Sequence, residues 1–420
     1  MILLMFSVNA IAQEDVNYDE SKVPEYELPE ILRSNSGKVI DEVSEWEQFR
    51  RPEILAAFEQ YVYGKTPAVD IPVRFELMEE SREALGGKAI RKQVRAYFGK
   101  FNNGPSMDIL IYLPEISEKP VPIIVGLNFY GNHTIIDDQN IFIHNSWTRN
   151  SDNFGIKNNQ VDEASRGIRN NRWPVNKIID GGYGLATIYY GDLDPDLGDH
   201  WQDGIHPLFY RDNQEQPADD EWGSIGAWSW GLSRALDYFQ TDNEIDHEHV
   251  AVMGHSRLGK TSLWAGAVDP RFAAVISNDS GCGGAALSRR RFGEKVARIN
   301  NAFPHWFNNN FNRYNDQESY LPVDQHMLIA LMAPRPVYIA SAEDDRWADP
   351  KGEFLSGREA NPAYQLYGLE GMPADQMPKV SQPIMGTIGY HIRPGGHDVT
   401  DYDWEQWMKF LNMHWKESKR

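Results

Sequence analysis

The chain has 420 residues, 41% hydrophobic and 12% aromatic, enough apolar material for a sizeable core, so it is neither disordered nor fibrous. Its 41 basic and 61 acidic side chains leave a formal charge of −20, a field that repels nucleic-acid phosphates and anionic lipid and argues against either as the main partner. A single cysteine, Cys282, excludes an internal disulfide and any cysteine-based zinc site. The 13 tryptophans are more than a core requires and suit the flat faces of sugar rings.

In chain order, the apolar run Met1–Ala12 closes on Ala10-Ile11-Ala12, the small-x-small form that signal peptidase cleaves, though without a basic leader region. Residues 1–12 are therefore expected to be a signal peptide, 13–45 an acidic, proline-bearing tail, and 46–420 one enlarged domain. A secreted or periplasmic location follows from that expectation. No later run of about 18 apolar residues predicts a membrane span. From Trp46 to Tyr63, Phe49, Ile54, Leu55, Phe58, Tyr61 and Val62 recur at helical spacing. Met107–Pro114, Val121–Asn128 and Gly184–Tyr190 read as buried strands. Ile225–Phe239 reads as a helix, Val250–Met253 as a strand, Lys260–Ala267 as a helix and Ala273–Ser277 as a strand. A long polar stretch then runs to about 325, followed by a strand at Pro336–Ala340 and a closing helix at Asp403–Trp415. Strands alternating with helices predict an α/β fold, a mostly parallel sheet covered on both faces. In such a sheet the ligand site lies beyond the carboxyl ends of the strands.

The segment Val250-Ala-Val-Met-Gly254-His-Ser256-Arg257-Leu-Gly259-Lys260 carries the most chemistry. A strand ending in Gly-x-Ser with a helix starting at once is a nucleophile elbow, which lifts a serine hydroxyl above the sheet edge. The helix N-terminus behind it offers N–H groups to a developing oxyanion. Here the second glycine comes one place later than in Gly-x-Ser-x-Gly, with Leu258 in its usual position. A serine hydroxyl needs a base, and in α/β-hydrolases the order is Ser, then acid, then His. His397, in the glycine-rich turn Arg393-Pro-Gly-Gly-His397-Asp between the last strand and the closing helix, occupies the base position. The acid has two candidate homes. One is Asp345, in the carboxylate-rich loop Ser341–Asp349; the other is Asp279, one strand earlier, and the usual loop order favours Asp345.

Gly254-His-Ser-Arg-Leu-Gly-Lys260 resembles the Gly-x-Ser-Arg-x-Gly-Lys signature of glucuronoyl esterases, and Asp279-Ser-Gly-Cys-Gly-Gly284 resembles their Glu-Ser-Gly-x-Gly-Gly segment. The run from Ser341 to Glu353, containing Trp347-Ala-Asp-Pro350, looks like the bacterial branch, and the resemblance extends from about Trp46 to Trp415. It implies an α/β-hydrolase fold and cleavage of esters between glucuronate on xylan and lignin alcohols, with no metal or organic cofactor. It implies Ser256 as nucleophile and His397 as base. Fungal members carry the acid at the place of Asp279, where this chain has the shorter Asp in place of Glu, whereas bacterial members often use the place of Asp345. Arg257 would assist the oxyanion hole, while Lys260, Glu294 and Trp347 would contact sugar hydroxyls.

The rival readings are an acetyl-xylan or general carboxylesterase with the same triad, and a non-catalytic glycan-binding scaffold. A monomer is the working expectation for the oligomeric state. Asp192–Asp199 is acidic but breaks the calcium-loop pattern, so it reads as a polar loop. His247-Glu-His249 reads as an exposed turn and Arg289-Arg-Arg291 as a solvated basic patch that can border the cleft. Phe303-Pro-His-Trp306-Phe307 is an aromatic cluster that fits either a cleft wall or the core. In a strongly acidic chain, Arg257 and Lys260 beside the nucleophile predict a local cationic point.

Overall fold

The computed structural model describes residues 16–100, 104–115 and 120–415. The signal-peptide expectation for Met1–Ala12 lies outside them. Among the described residues, nine strands form one sheet in the order β1-β2-β3-β5-β4-β6-β7-β8-β9. They are β1 (Val73–Glu83), β2 (Ala89–Phe98), β3 (Ser106–Pro114), β4 (Val121–Asn128), β5 (Gly184–Tyr189), β6 (Ile245–His255), β7 (Ala274–Asn278), β8 (Val337–Ala342) and β9 (Ile388–Arg393). Strands β5 to β9, with β4 between β5 and β6, pair in parallel, while β1, β2 and β3 extend one edge in antiparallel pairing. This is the expected α/β-hydrolase sheet. Every residue of β5, β7, β8 and β9 is buried; β5, β7 and β8 therefore read as largely apolar runs rather than alternating ones, while β9 also buries His391 and Arg393.

The helices used below are α1 (Arg51–Phe58), α2 (Ser224–Phe239), α3 (Arg257–Val268), α4 (Val296–Ala302), α5 (Pro350–Glu359) and α6 (Asp401–Trp415). Helix α1 is continuous with wider π-type turns at Trp46–Arg50 and Glu59–Tyr63. Trp46, Arg50, Ile54, Phe58 and Val62 are therefore buried at a spacing of four, whereas Phe49, counted as inward at ordinary helical spacing, is 57% exposed. Helix α2 and β6 match their predicted cores with a few residues added at the ends.

Strands β1 and β2 escaped the apolar pattern because their charges are paired. In β2, Arg91 bonds Glu79 and Asp138, and Lys92 bonds Asp242 and Glu244, with both cations buried. Other expectations change as well. Arg289 and Arg290 are buried, bonded to Asp324 and Asp349, so only Arg291 is partly open to solvent, paired with Asp316. The polar stretch around them is packed structure that includes α4. His247-Glu-His249 lies within β6 rather than in a turn. Residues 16–45 lie along the domain: Ile31 and Ile40 are buried, and Glu20 bonds Arg290 and Lys351. The tryptophan surplus goes mainly into the core, with Trp46, Trp222, Trp228, Trp404 and Trp407 all fully buried.

No helix among the described residues is long and apolar enough to cross a membrane. One core contact reaches the loop after β5: the Trp228 indole N–H on α2 donates to the Asp194 carbonyl at 3.0 Å. Trp228→Phe leaves that buried carbonyl unpaired and is expected to cost about 1–3 kcal/mol in urea unfolding, with unchanged far-UV circular dichroism.

Candidate active site

Beyond the carboxyl ends of β6, β7 and β8, a cleft of about 360 Å³ is lined by Ser256, Arg257, Lys260, Asp279, Glu294, Phe303, Trp306, Asp345, Trp347 and His397. Each residue that the sequence singled out for the site lies on this one wall system. Ser256 sits between β6 and α3 with φ 60° and ψ −130°, a backbone conformation L side chains rarely adopt. The turn closes because residue 254 is glycine: a Cβ there would lie 1.8 Å from the Leu258 carbonyl oxygen. Leu258 occupies the usual glycine position and points into the core, 1% exposed. The later Gly259 serves packing, since its Cβ would meet Ser280 at 3.0 Å. The Ser256 N–H donates to the Asn278 carbonyl at 2.9 Å, while the Ser256 carbonyl accepts from Gly259 and Lys260.

His397 follows β9 and Asp345 follows β8, in loops stitched together by backbone bonds from Glu343 to Arg393 and from Asp344 to Gly395. The His397 Nδ1 lies 2.6 Å from Asp345 Oδ2, with the imidazole 42% exposed and the carboxylate 5% exposed. Asp279 lies beneath them, and one donor atom each of Asp279, Asp345 and His397 falls within a 4.8 Å group, a set that would also fit a cation. The hydrogen bonds of Asp279 point elsewhere: its Oδ2 accepts from Arg393 Nη2 and Asn278 Nδ2, each at 3.2 Å. Burial, reinforced by neighbouring Glu353, pushes the Asp279 carboxyl well above its ordinary range. His255, next to the serine, packs its ring 4.4 Å from that of His397, and burial holds it well below the usual histidine range.

The expected cationic point is largely compensated. Arg257 pairs with buried Asp196 and lies over the Trp306 ring at 4.6 Å. Asp196 also accepts from His305 Nε2 at 2.9 Å, Trp306 Nε1 at 2.6 Å and the Tyr190 hydroxyl at 3.0 Å. Burial alone would raise its pKa, but the bond from His305 and the charge on Arg257 outweigh it and bring it down to about 2. Asp196 belongs to the acidic loop that looked solvated in the sequence, and nothing local marks which of its carboxylates turns inward. Lys260 is buried, donates to the Ser280 carbonyl at 2.5 Å, and stands 3.9 Å from the Glu294 carboxylate. Desolvation lowers its pKa and raises that of Glu294, each against the pull of the other's charge. Glu294 is held at the rim by its own N–H, which donates to the Trp347 carbonyl at 3.0 Å. Of the aromatic cluster, Phe303 and Trp306 stack at 3.7 Å as cleft wall, whereas Phe307 turns into the core.

A family model described as glucuronyl esterase, fungi, matches residues 209–368, which contain the serine turn, Asp279, Glu294 and Asp345. A carbohydrate esterase, MZ0003, from an unknown prokaryotic organism is 52% identical over 95% of this chain and 92% of its own length. A glucuronoyl esterase from Solibacter usitatus is 46% identical, covering 94% of this chain and 100% of that one at a TM-score of 0.89. The chain belongs to the glucuronoyl esterase family. It is a carboxylic ester hydrolase. A promiscuous CE15 esterase from a marine bacterial metagenome, 52% identical, superposes at a TM-score of 0.90 over 95% of this chain and 100% of that one.

One further acid lies below the cleft. Glu353 on α5 accepts from the Ser280 and Gly281 N–H groups at 2.8 and 2.9 Å, and from the Ser341 hydroxyl at 2.5 Å, which ties the Asp279 loop to β8. Burial raises its pKa to about 7. The folded protein therefore holds a proton that the unfolded chain releases above its ordinary 4.5, so stability falls as pH rises from there to about 7. Glu353→Gln keeps the acceptor for both N–H groups. In denaturant unfolding across pH 4.5–8, the wild type is expected to lose stability relative to this variant, with the gap levelling off above about pH 7.

Proposed function

We propose that this protein hydrolyses esters joining glucuronate, including its 4-O-methyl form, on xylan to lignin alcohols, through an acyl intermediate on Ser256. The observation that carries the reading is the bond between His397 Nδ1 and Asp345, which leaves Nε2 of the same ring as the acceptor for a serine proton. The Ser256 Oγ attacks the ester carbonyl carbon as His397 takes its proton, and the alcohol leaves with that proton. Water, deprotonated by His397, then attacks the acyl carbon; the acyl–Oγ bond breaks, Ser256 Oγ takes that proton from His397, and the glucuronate is freed. Asp345 orients the imidazole and stabilises its protonated form.

The oxyanion falls to the start of α3. The Ser256 N–H is already given to Asn278, so the donors for that charge are the N–H that opens the helix and the Arg257 side chain. Among the described residues, Arg257 Nε has no acceptor. Lys260, Glu294 and Trp347 on the same wall suit the hydroxyls and face of one sugar ring. Paired cations, Arg257 with Asp196 and Lys260 with Glu294, suit a neutral ester, and the surrounding −20 charge favours departure of the anionic product. A cell-wall substrate places the work outside the cytoplasm, secreted or periplasmic, in keeping with the expected signal peptide.

A second reading, a broader ester range, draws on the similar marine esterase described as promiscuous. Turnover of a benzyl glucuronate ester beside an acetyl ester separates the two. The expected kcat/KM favours the glucuronate ester, and equal or better acetyl turnover overturns the first reading. Ser256→Ala is expected to lower kcat at least about 10⁴-fold. Asp345→Ala should lose about 10²–10⁴-fold and more than Asp279→Ala; the reverse order would move the orienting acid to the earlier strand.

A further inference from the structure

The loop that carries His397 is short, glycine-rich and partly exposed, yet a catalytic base must be held to a fraction of an ångström. Its backbone is tied to the Asp345 loop through the Arg393 and Gly395 carbonyls, but past Gly395 the holding falls to side chains. Pro394 has no N–H to give, and a Cβ added at Gly396 would meet nothing within 4 Å. What surrounds the loop is a set of side-chain donors aimed at its carbonyls. Arg393, 2% exposed at the end of β9, donates Nη1 to the carbonyls of Pro394 and Gly396, each at 3.1 Å, and Nη2 to the carbonyl of Asp398 at 2.5 Å.

The other side of the guanidinium is anchored in the fold. Its Nε is bonded to both oxygens of Asp403 on α6 at 3.1 and 2.9 Å, and its Nη2 also reaches Asp279. Asp403 is itself buried and fixed by His391 and by Thr400. Asn278 donates to the Asp398 carbonyl at 2.9 Å, and the Asp398 side chain accepts from Arg172, with Arg169 at 3.8 Å.

We propose that Arg393 is a positioning residue for the reaction, a clamp that holds the His397 loop from below while Arg172 holds it from the rim through Asp398. Asp279 is then a hydrogen-bond acceptor of the clamp, which accounts for its bonds pointing at Arg393 although it lies within reach of the Asp345–His397 pair. A planar guanidinium is required because one side chain must serve three carbonyls and two carboxylates at once. A lysine ammonium has three donors on a single atom and cannot span them. The inference rests on the reading of His397 as the base.

The test measures kcat and KM on a benzyl glucuronate ester for Arg393→Lys, Arg172→Gln and His397→Ala, with thermal melting followed by circular dichroism. A folded Arg393→Lys is expected to lose about 10- to 100-fold in kcat with KM within about 3-fold, since a displaced base slows chemistry without removing a binding contact. Arg172→Gln, nearer the surface, is expected to lose about 3- to 10-fold in kcat by the same route, and it carries the test alone if the buried substitution prevents folding. A variant that melts lower but keeps wild-type kcat, or one whose loss lies in KM, shows a merely structural contact and overturns the clamp. Activity surviving in His397→Ala overturns instead the assignment of the base. An inactive His397→Ala beside an unimpaired, folded Arg393→Lys leaves the base intact and removes only the clamp.

Discussion

The turn at Ser256 is the constraint on which the other parts of the site depend. A non-glycine residue at φ 60° costs on the order of 1–3 kcal/mol and persists only where its surroundings over-determine it. Here the surroundings are a missing Cβ at residue 254, a bond from the Ser256 N–H to β7, and the first turn of α3 closing on the Ser256 carbonyl. Because the strand and the helix must both meet at that serine, the start of α3 and the ends of β7 and β8 converge on one cleft. The side chains that border the serine are drawn from those ends.

Buried charge is the second organising theme. The −20 excess suggests a surface dominated by acids, yet the structure places many of its decisive charges inside, in matched sets. Asp196 answers Arg257, Glu294 stands opposite Lys260, and Asp403 balances Arg393. Breaking one partner of such a pair leaves the other unpaired in a low-dielectric interior, a large penalty that fixes the geometry of the set. The result is a cleft with firmly placed donors and little net charge, which is what the proposed reaction of a neutral ester asks of it.

The central strands were legible because both of their faces are buried, which makes their sequences plainly apolar. The serine turn was legible because its glycine, serine and helix start are contiguous. The antiparallel edge was not, since Arg91 and Lys92 read as solvent-facing until their partners on other segments are known. Arg289 and Arg290 were misread for the same reason, and most of the tryptophans were needed for packing rather than for ligand. The wide helical turns on either side of α1 shifted Phe49 outward in a way that a fixed 3.6-residue period does not capture.

By itself the sequence determined the α/β-hydrolase sheet, the tight serine turn, the His397 loop, the two candidate acids and the residues beside them, because local pattern and chain order carry that information. Tertiary structure alone decided the partners. It set Asp345 against His397 while turning Asp279 toward Arg393, and it brought Asp196 out of an apparently solvated loop to meet Arg257. Those pairings join residues 52 to 114 positions apart, and a carboxylate looks the same in sequence whether it faces water or a buried guanidinium. Only the fold supplies the distance and the burial that distinguish the two.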